Sequence, residues 1–103
     1  MIIAVCRATI SPGKRSEAQE FWKRLASYNK KQPGIEDVIV MHPLQGLRDL
    51  IMASERFSSL EAWEKFREKR EEDPEWQALM KERGDKQYTV PVTLEWKQYE
   101  VVE

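Results

Sequence analysis

The sequence predicts an α+β domain of the ferredoxin-like class: a four-stranded antiparallel sheet with helices on one face, in the order β-α-β-β-α-β. Three observations predict it. Short apolar, β-rich segments alternate with stretches whose apolar residues recur at helical spacing. Pro and Gly punctuate the joints between them. The 103 residues are 41% hydrophobic and 34% charged, with no repeat or low-complexity segment, so residues 1–103 read as one globular domain with one core.

The first strand is Ile2 to Thr9, ended by Ser11-Pro12-Gly13. Over residues 14–31 the period changes. Ala18, Phe21, Trp22, Leu25 and Tyr28 form a helical stripe, with Glu17, Glu20, Lys23 and Lys30 off it, until Pro33-Gly34 stops the helix. Residues 38–41 make a second strand that ends at His42-Pro43, and Gln45-Gly46 is a loop. Residues 50–57 are a third strand. Ser58-Ser59-Leu60-Glu61 reads as a capping box, with Ser at the N-cap and Glu three residues on. Leu60, Trp63 and Phe66 then mark the buried face of a second helix, and the charged run 64–72 reads as its solvated face. Asp73-Pro74 restarts a helix that carries Trp76, Leu79 and Met80 on one side and ends at Gly84. Residues 88–102 read as a long last strand, with Pro91 at an edge or bulge.

Composition excludes several function classes. A net charge of -1 leaves no electrostatic footprint for nucleic acid or an anionic membrane. The third strand, LIMASERF, lacks the aromatic and basic residues of an RNA-binding motif on the same strand order. The single Cys allows no intrachain disulfide and suits a reducing compartment. The opening MIIAVCRATI lacks the features of a signal peptide, and no run approaches a membrane span. The expected location is the cytoplasm.

The central strands are apolar on both faces. Ile3 and Val5 alternate with Ala4 and Cys6, and Ile51 and Ala53 alternate with Leu50 and Met52. Two helices cover only one face, so a homodimer through the sheet faces is expected, related by a two-fold axis. Arg7 and Glu55 are expected near the ends of central strands read as parallel neighbours, both pointing away from the helices. They read as a buried ion pair that Glu95 joins, or else Glu55 is a carboxylate base in a second cavity.

The segments SPGKRSEAQEFWKRL, QPGIEDVIVMHP, SERFSSLEAWEKF, DPEWQALMKE and the closing YEVV resemble the antibiotic-biosynthesis-monooxygenase-like family of dimeric α/β barrels over nearly the whole chain. These residues specify the fold, so the resemblance implies a dimeric barrel more directly than an activity. It implies a site between sheet and helices. Family enzymes typically carry an Asn on the first strand, which falls on Cys6 here, and a Trp on the second helix, which falls close to Trp63. A haem-degrading branch adds a His where this chain has Met80. A lone methionine is a weak haem ligand, and Cys6 with His42 are too few for zinc, so neither a cofactor nor a metal is expected.

Cys6, Trp22, Ser54, Trp63, Phe66, Trp76 and Met80 are the expected pocket residues, open to a small aromatic ligand or simply packed together. Cys6 and His42 are the candidate catalytic groups; each also has a plain reading, as a buried hydrophobe and as a surface histidine. Two functions stand open. One is a cofactor-independent oxygenase acting on a small aromatic or quinol substrate. The other is a non-catalytic dimeric barrel that binds a small ligand or serves as an assembly module.

Overall fold

The computed structural model describes residues 1–46 and 49–102. Four strands, β1 (Ile2–Thr9), β2 (Ile35–Met41), β3 (Leu50–Phe57) and β4 (Glu95–Glu100), form one sheet in the order β2-β3-β1-β4. Every neighbouring pair is antiparallel. Helices α1 (Arg15–Lys30), α2 (Leu60–Glu71) and α3 (Pro74–Lys86) complete the fold. The ferredoxin-like class stands, with its second crossover divided into two helices. Among the described residues no helix is long and apolar enough to cross a membrane.

The break between α2 and α3 has a local cause. Pro74 lacks an N–H and cannot continue a helix, but it fits a first turn. Asp73 caps that turn, its carboxylate accepting from Glu75 N at 3.0 Å. The α2 cap differs from the expected box. Ser59, not Ser58, is the N-cap and accepts from Ala62 N at 3.1 Å. Glu61 therefore falls one position early and pairs with Lys65 at 2.9 Å instead.

The end of the chain departs most from expectation. Gly84 lies inside α3, which continues to Lys86 and stops where Gln87 turns left-handed at φ 47°. The long last strand is three pieces: a single bridge from Thr89 to Ile10, a 3-10 turn at Pro91–Thr93, and β4. Pro91 has no N–H for a ladder bond, so the chain turns there before it pairs with β1.

Pleating sorts the side chains onto two faces. Ala4, Cys6, Ala8, Ile51, Glu55 and Phe57 lie under the helices and are buried. Phe21 and Trp22 of α1 pack over Cys6, Ala8 and Ile51 in one cluster, and Phe66 of α2 packs over Ala4 and Phe57 in another. The opposite face carries Ile3, Val5, Arg7, Met52, Ser54, Ile39, Met41 and Tyr99, with Ile39 54% and Tyr99 51% exposed. Arg7 and Glu95 do pair there, at 2.8 Å. Glu55 is on the other face, because β1 and β3 are antiparallel and Ala4, not Arg7, is its partner. The expected Arg7–Glu55 ion pair is thus replaced by two separate polar features.

Phe57 is fully buried, its ring 5.1 Å from that of Phe66. Leu60, read as core, is 51% exposed. Phe57→Ala should cost about 3–5 kcal/mol, and Leu60→Ala less than about 1 kcal/mol, by chemical denaturation. Equal costs would mean that α2 is seated in a different rotation.

Candidate functional site

Small residues make the floor. Across the sheet, Val40, Ala53, Cys6 and Trp96 stand side by side, and the next helix-facing row is Val38, Glu55, Ala4 and Gln98. Ala4, Cys6 and Ala53 leave space that the large side chains overhead only partly occupy. A cleft of about 370 Å³ opens between this floor and the helices, walled by Trp63, Phe66, Trp76, Met80 and Trp96. Beneath Trp22 lies a further hollow of about 30 Å³, which reaches Cys6. Glu55, Trp76, Arg83 and Trp96 line both spaces.

Helix α3 forms one wall because α1 holds it at both ends. The Tyr28 hydroxyl donates to Asp73 Oδ2 at 2.6 Å, and the Tyr28 and Trp76 rings lie 5.7 Å apart. At the far end, both terminal nitrogens of Arg24 donate to the Glu82 carboxylate, which also accepts from the Tyr88 hydroxyl at 2.9 Å. This clamp holds the Glu82 carboxyl well down, at about 2.

Arg70 is the centre of the cleft wall. Its guanidinium lies 3.8 Å from the Trp76 ring centre and 4.7 Å from that of Phe66. Nη1 donates to Asn29 Oδ1 at 3.4 Å. Only 6% of the residue is exposed, and its Nε has no hydrogen-bond partner. Glu55 is 3% exposed, and its Oε2 has none either. Burial pushes the Glu55 carboxyl up from 4.5 to about 6, against the pull of Arg70. Burial in turn lowers the Arg70 value, opposed first by Glu55.

The expected pocket residues divide. Trp63, Phe66, Trp76 and Met80 line the cleft, and Cys6 and Trp22 line the hollow below it. Trp63 is half-buried, with the Arg67 guanidinium 4.8 Å over its ring. Ser54 is not part of the site: it faces the opposite side of the sheet, between Ile39 and Val5. His42 is exposed at the end of β2, beside Arg15, Pro43 and Leu44, and does not meet Cys6. Burial pushes the Cys6 thiol up to about 12, so it stays protonated and is a poor nucleophile. Among the described residues, no three His, Cys, Asp or Glu side chains gather as a metal site would need.

The sequence reading missed Arg70, Arg83 and Trp96, and it put Glu55 on the wrong face. A signal for Arg70 was present. It lies four residues after Phe66 and seven after Trp63, on the same helical stripe, and the surrounding charge run concealed it.

The Glu55 environment makes a pH prediction. Its proton affinity is higher folded than unfolded, so the stabilisation is fully present below about pH 4.5 and is lost as pH rises through about 6. Relative to Glu55→Gln, the native chain should lose about 2 kcal/mol across that window. Denaturant melts of both proteins at several pH values test this. A pH-independent difference would show that Glu55 ionises normally.

Comparison with known proteins follows the fold. The sequence profile of the NIPSNAP family matches residues 7–93. No curated protein matches in sequence. Among solved structures, a NIPSNAP domain protein from Burkholderia xenovorans is similar with a TM-score of 0.79 and 16% identity, over 99% of this chain and 95% of that one. SnoaB, a cofactor-independent oxygenase from Streptomyces nogalater, is similar with a TM-score of 0.73 and 13% identity, over 99% and 93%. A Deinococcus radiodurans protein grouped with the antibiotic biosynthesis monooxygenases gives 0.75 and 16%, over 100% and 94%. At these identities the structures show a shared fold, the one that the sequence resemblance implied. The profile begins within the first strand and runs through all three helices to the 3-10 turn, so the chain belongs to the NIPSNAP family.

Proposed function

We propose that the chain takes a small, flat, electron-rich organic anion into the cleft beside Arg70 and promotes its reaction with O2 without a cofactor. The observation that carries this reading is the cleft itself: indole walls for a planar ring, with buried Arg70 and nearby Arg83 for its negative charge. Its volume, about 370 Å³, is within the usual range for small-molecule sites. Oxidation of an activated methylene illustrates the balance. One O2 supplies the carbonyl oxygen of the product, and its second oxygen leaves with the two hydrogens as water. The substrate anion supplies the electrons, so the protein needs only to bind it, keep it dry and stabilise its charge.

A second reading is binding without turnover. Cys6 favours it, because a protonated, buried thiol stands where the resembling oxygenases carry an Asn. Titration with dihydroxyaromatics, followed by tryptophan fluorescence and by oxygen consumption, separates the two. We expect saturable quenching together with oxygen uptake. Quenching without uptake would support the binding reading, and no quenching by any compound would remove both. Trp63→Ala should weaken binding at least about tenfold with little loss of stability, since the indole is only half-buried.

Assembly belongs to the same proposal. The uncovered sheet face bears Ile3, Val5, Ile39, Met41, Met52 and Tyr99, and a second copy meeting it face to face would bury them. Cytoplasmic residence suits the one free, buried cysteine. Sedimentation at micromolar concentration should give the dimer mass, and Ile39→Glu should give a folded monomer. A wild-type monomer would refute this pairing.

A further inference from the structure

Glu55 and Arg70 form an unusual pair. Each is more than nine-tenths buried, each lines the cleft, and each holds one polar atom without a partner: Oε2 of Glu55 and Nε of Arg70. Opposite charges so placed would normally close into an ion pair, since an unmet buried polar atom costs about 1–3 kcal/mol. Among the described residues no ion pair or hydrogen bond joins them. What is absent on one side is a donor, and on the other an acceptor. Trp76 and Phe66 hold the guanidinium in place, so Arg70 is not free to swing toward Glu55.

We infer that Glu55 is the proton acceptor of this site and Arg70 the holder of the resulting charge, so that the substrate is an aromatic carrying an ionisable hydroxyl beside a second oxygen. The inference rests on the cleft being the ligand site proposed above. The hydroxyl donates to Glu55 Oε2, and the neighbouring oxygen accepts from Arg70 Nε–H. In the step, the substrate O–H bond breaks and an Oε2–H bond forms. The carboxylate becomes a neutral acid, the substrate becomes an oxyanion, and the total charge of the site is unchanged. The surroundings suit both states. The charged and titratable groups that share the cleft and hollow with Glu55 are Cys6 from β1, Arg67, Arg70 and Glu71 from α2, and Arg83 from α3, with Arg70 acting on it directly. Three of these are arginines, which favour the oxyanion. The protonated Glu55 is in turn at ease in its buried position, where burial raises its proton affinity.

The pairing also predicts discrimination. A substrate with a single isolated hydroxyl meets Glu55 but leaves Arg70 Nε unpaired. One with no hydroxyl leaves both unpaired. Sites built this way reject the deficient analogue, because the buried group stays unmet.

Alizarin, a vicinal dihydroxyanthraquinone whose visible band moves to the red on ionisation, is a direct probe. Bound to the wild-type protein, it should show the anionic band at a pH where free dye is mostly neutral, with an apparent ionisation constant changed at least about tenfold. Its monohydroxy analogue 2-hydroxyanthraquinone, whose hydroxyl has no oxygen beside it, should bind at least about tenfold more weakly. Binding to the wild-type protein should ionise the dye with its proton kept on Glu55, whereas Glu55→Gln, which keeps the arginines, should release about one proton to weakly buffered solvent for each dye ionised. Circular dichroism of the variant confirms that it is folded; should it be unfolded, the monohydroxy comparison in the wild-type protein decides alone. Equal proton release by the wild-type protein and folded Glu55→Gln, or equal binding of the two dyes, would overturn the inference while the ligand cleft stands. No binding of either dye to the wild-type protein would overturn both.

Discussion

The Arg70 guanidinium is the point at which all the layers of this fold meet. It rises from α2, lies over Trp76 of α3 and over Phe66 of its own helix, bonds Asn29 of α1, and faces Glu55 of β3. A planar cation can do this because its faces stack on rings while its edge donates hydrogen bonds. A lysine ammonium donates hydrogen bonds but has no planar face to stack. The break at Asp73-Pro74, set locally by its own residues, serves the same geometry. It turns the chain back so that Trp76 comes beneath the arginine, and Tyr28 and Arg24 then fasten α3 to α1. Without that placement the space over Ala4, Cys6 and Ala53 would have no outer wall.

Placing a cation inside a small core is costly unless its charge is met. Here it is met only in part: by two aromatic faces, by one amide oxygen at 3.4 Å, and by a carboxylate that burial itself makes easier to protonate. Native interiors seldom keep unmet polar atoms, and functional sites are where they do. The contrast with Arg24–Glu82 is instructive. That exposed pair closes with two hydrogen bonds and does structural work, whereas the buried pair stays open.

The two sides of the sheet differ in character although the same strands build them. On the helix side, small residues on β1 leave room for aromatics and for the cleft. On the other side, Ile3, Val5, Ile39 and Met41 are interrupted by Arg7–Glu95 and by Ser54, a mixed apolar and polar surface. One strand thus serves both, since alternate residues point to opposite faces. The NIPSNAP profile and the structural similarity to oxygenases both describe this shared scaffold.

Local chemistry made much of the fold readable in advance. The limits of β1 and β3, the stripe of α1 and the restart at Asp73-Pro74 follow from strand alternation, helical period and proline's missing N–H, all of which are properties of neighbouring residues. The last segment was less readable, because whether residues 88–94 extend β4 depends on what lies beside them, and Pro91 acts only once β1 is in place. The site was least readable. Trp63, Phe66, Trp76 and Met80 could be named from their helical faces, but the side to which Glu55 points depends on antiparallel pairing with β1, a contact between residues about fifty positions apart. The burial of Arg70 likewise needs Asn29, Phe66 and Trp76 together, which only the packed chain supplies. By itself the sequence determined the fold class and the aromatic stock of the site, because those follow from short-range periodicity. The tertiary structure decided which charges face each other, because burial and pairing are properties of residues distant in the chain and adjacent in space.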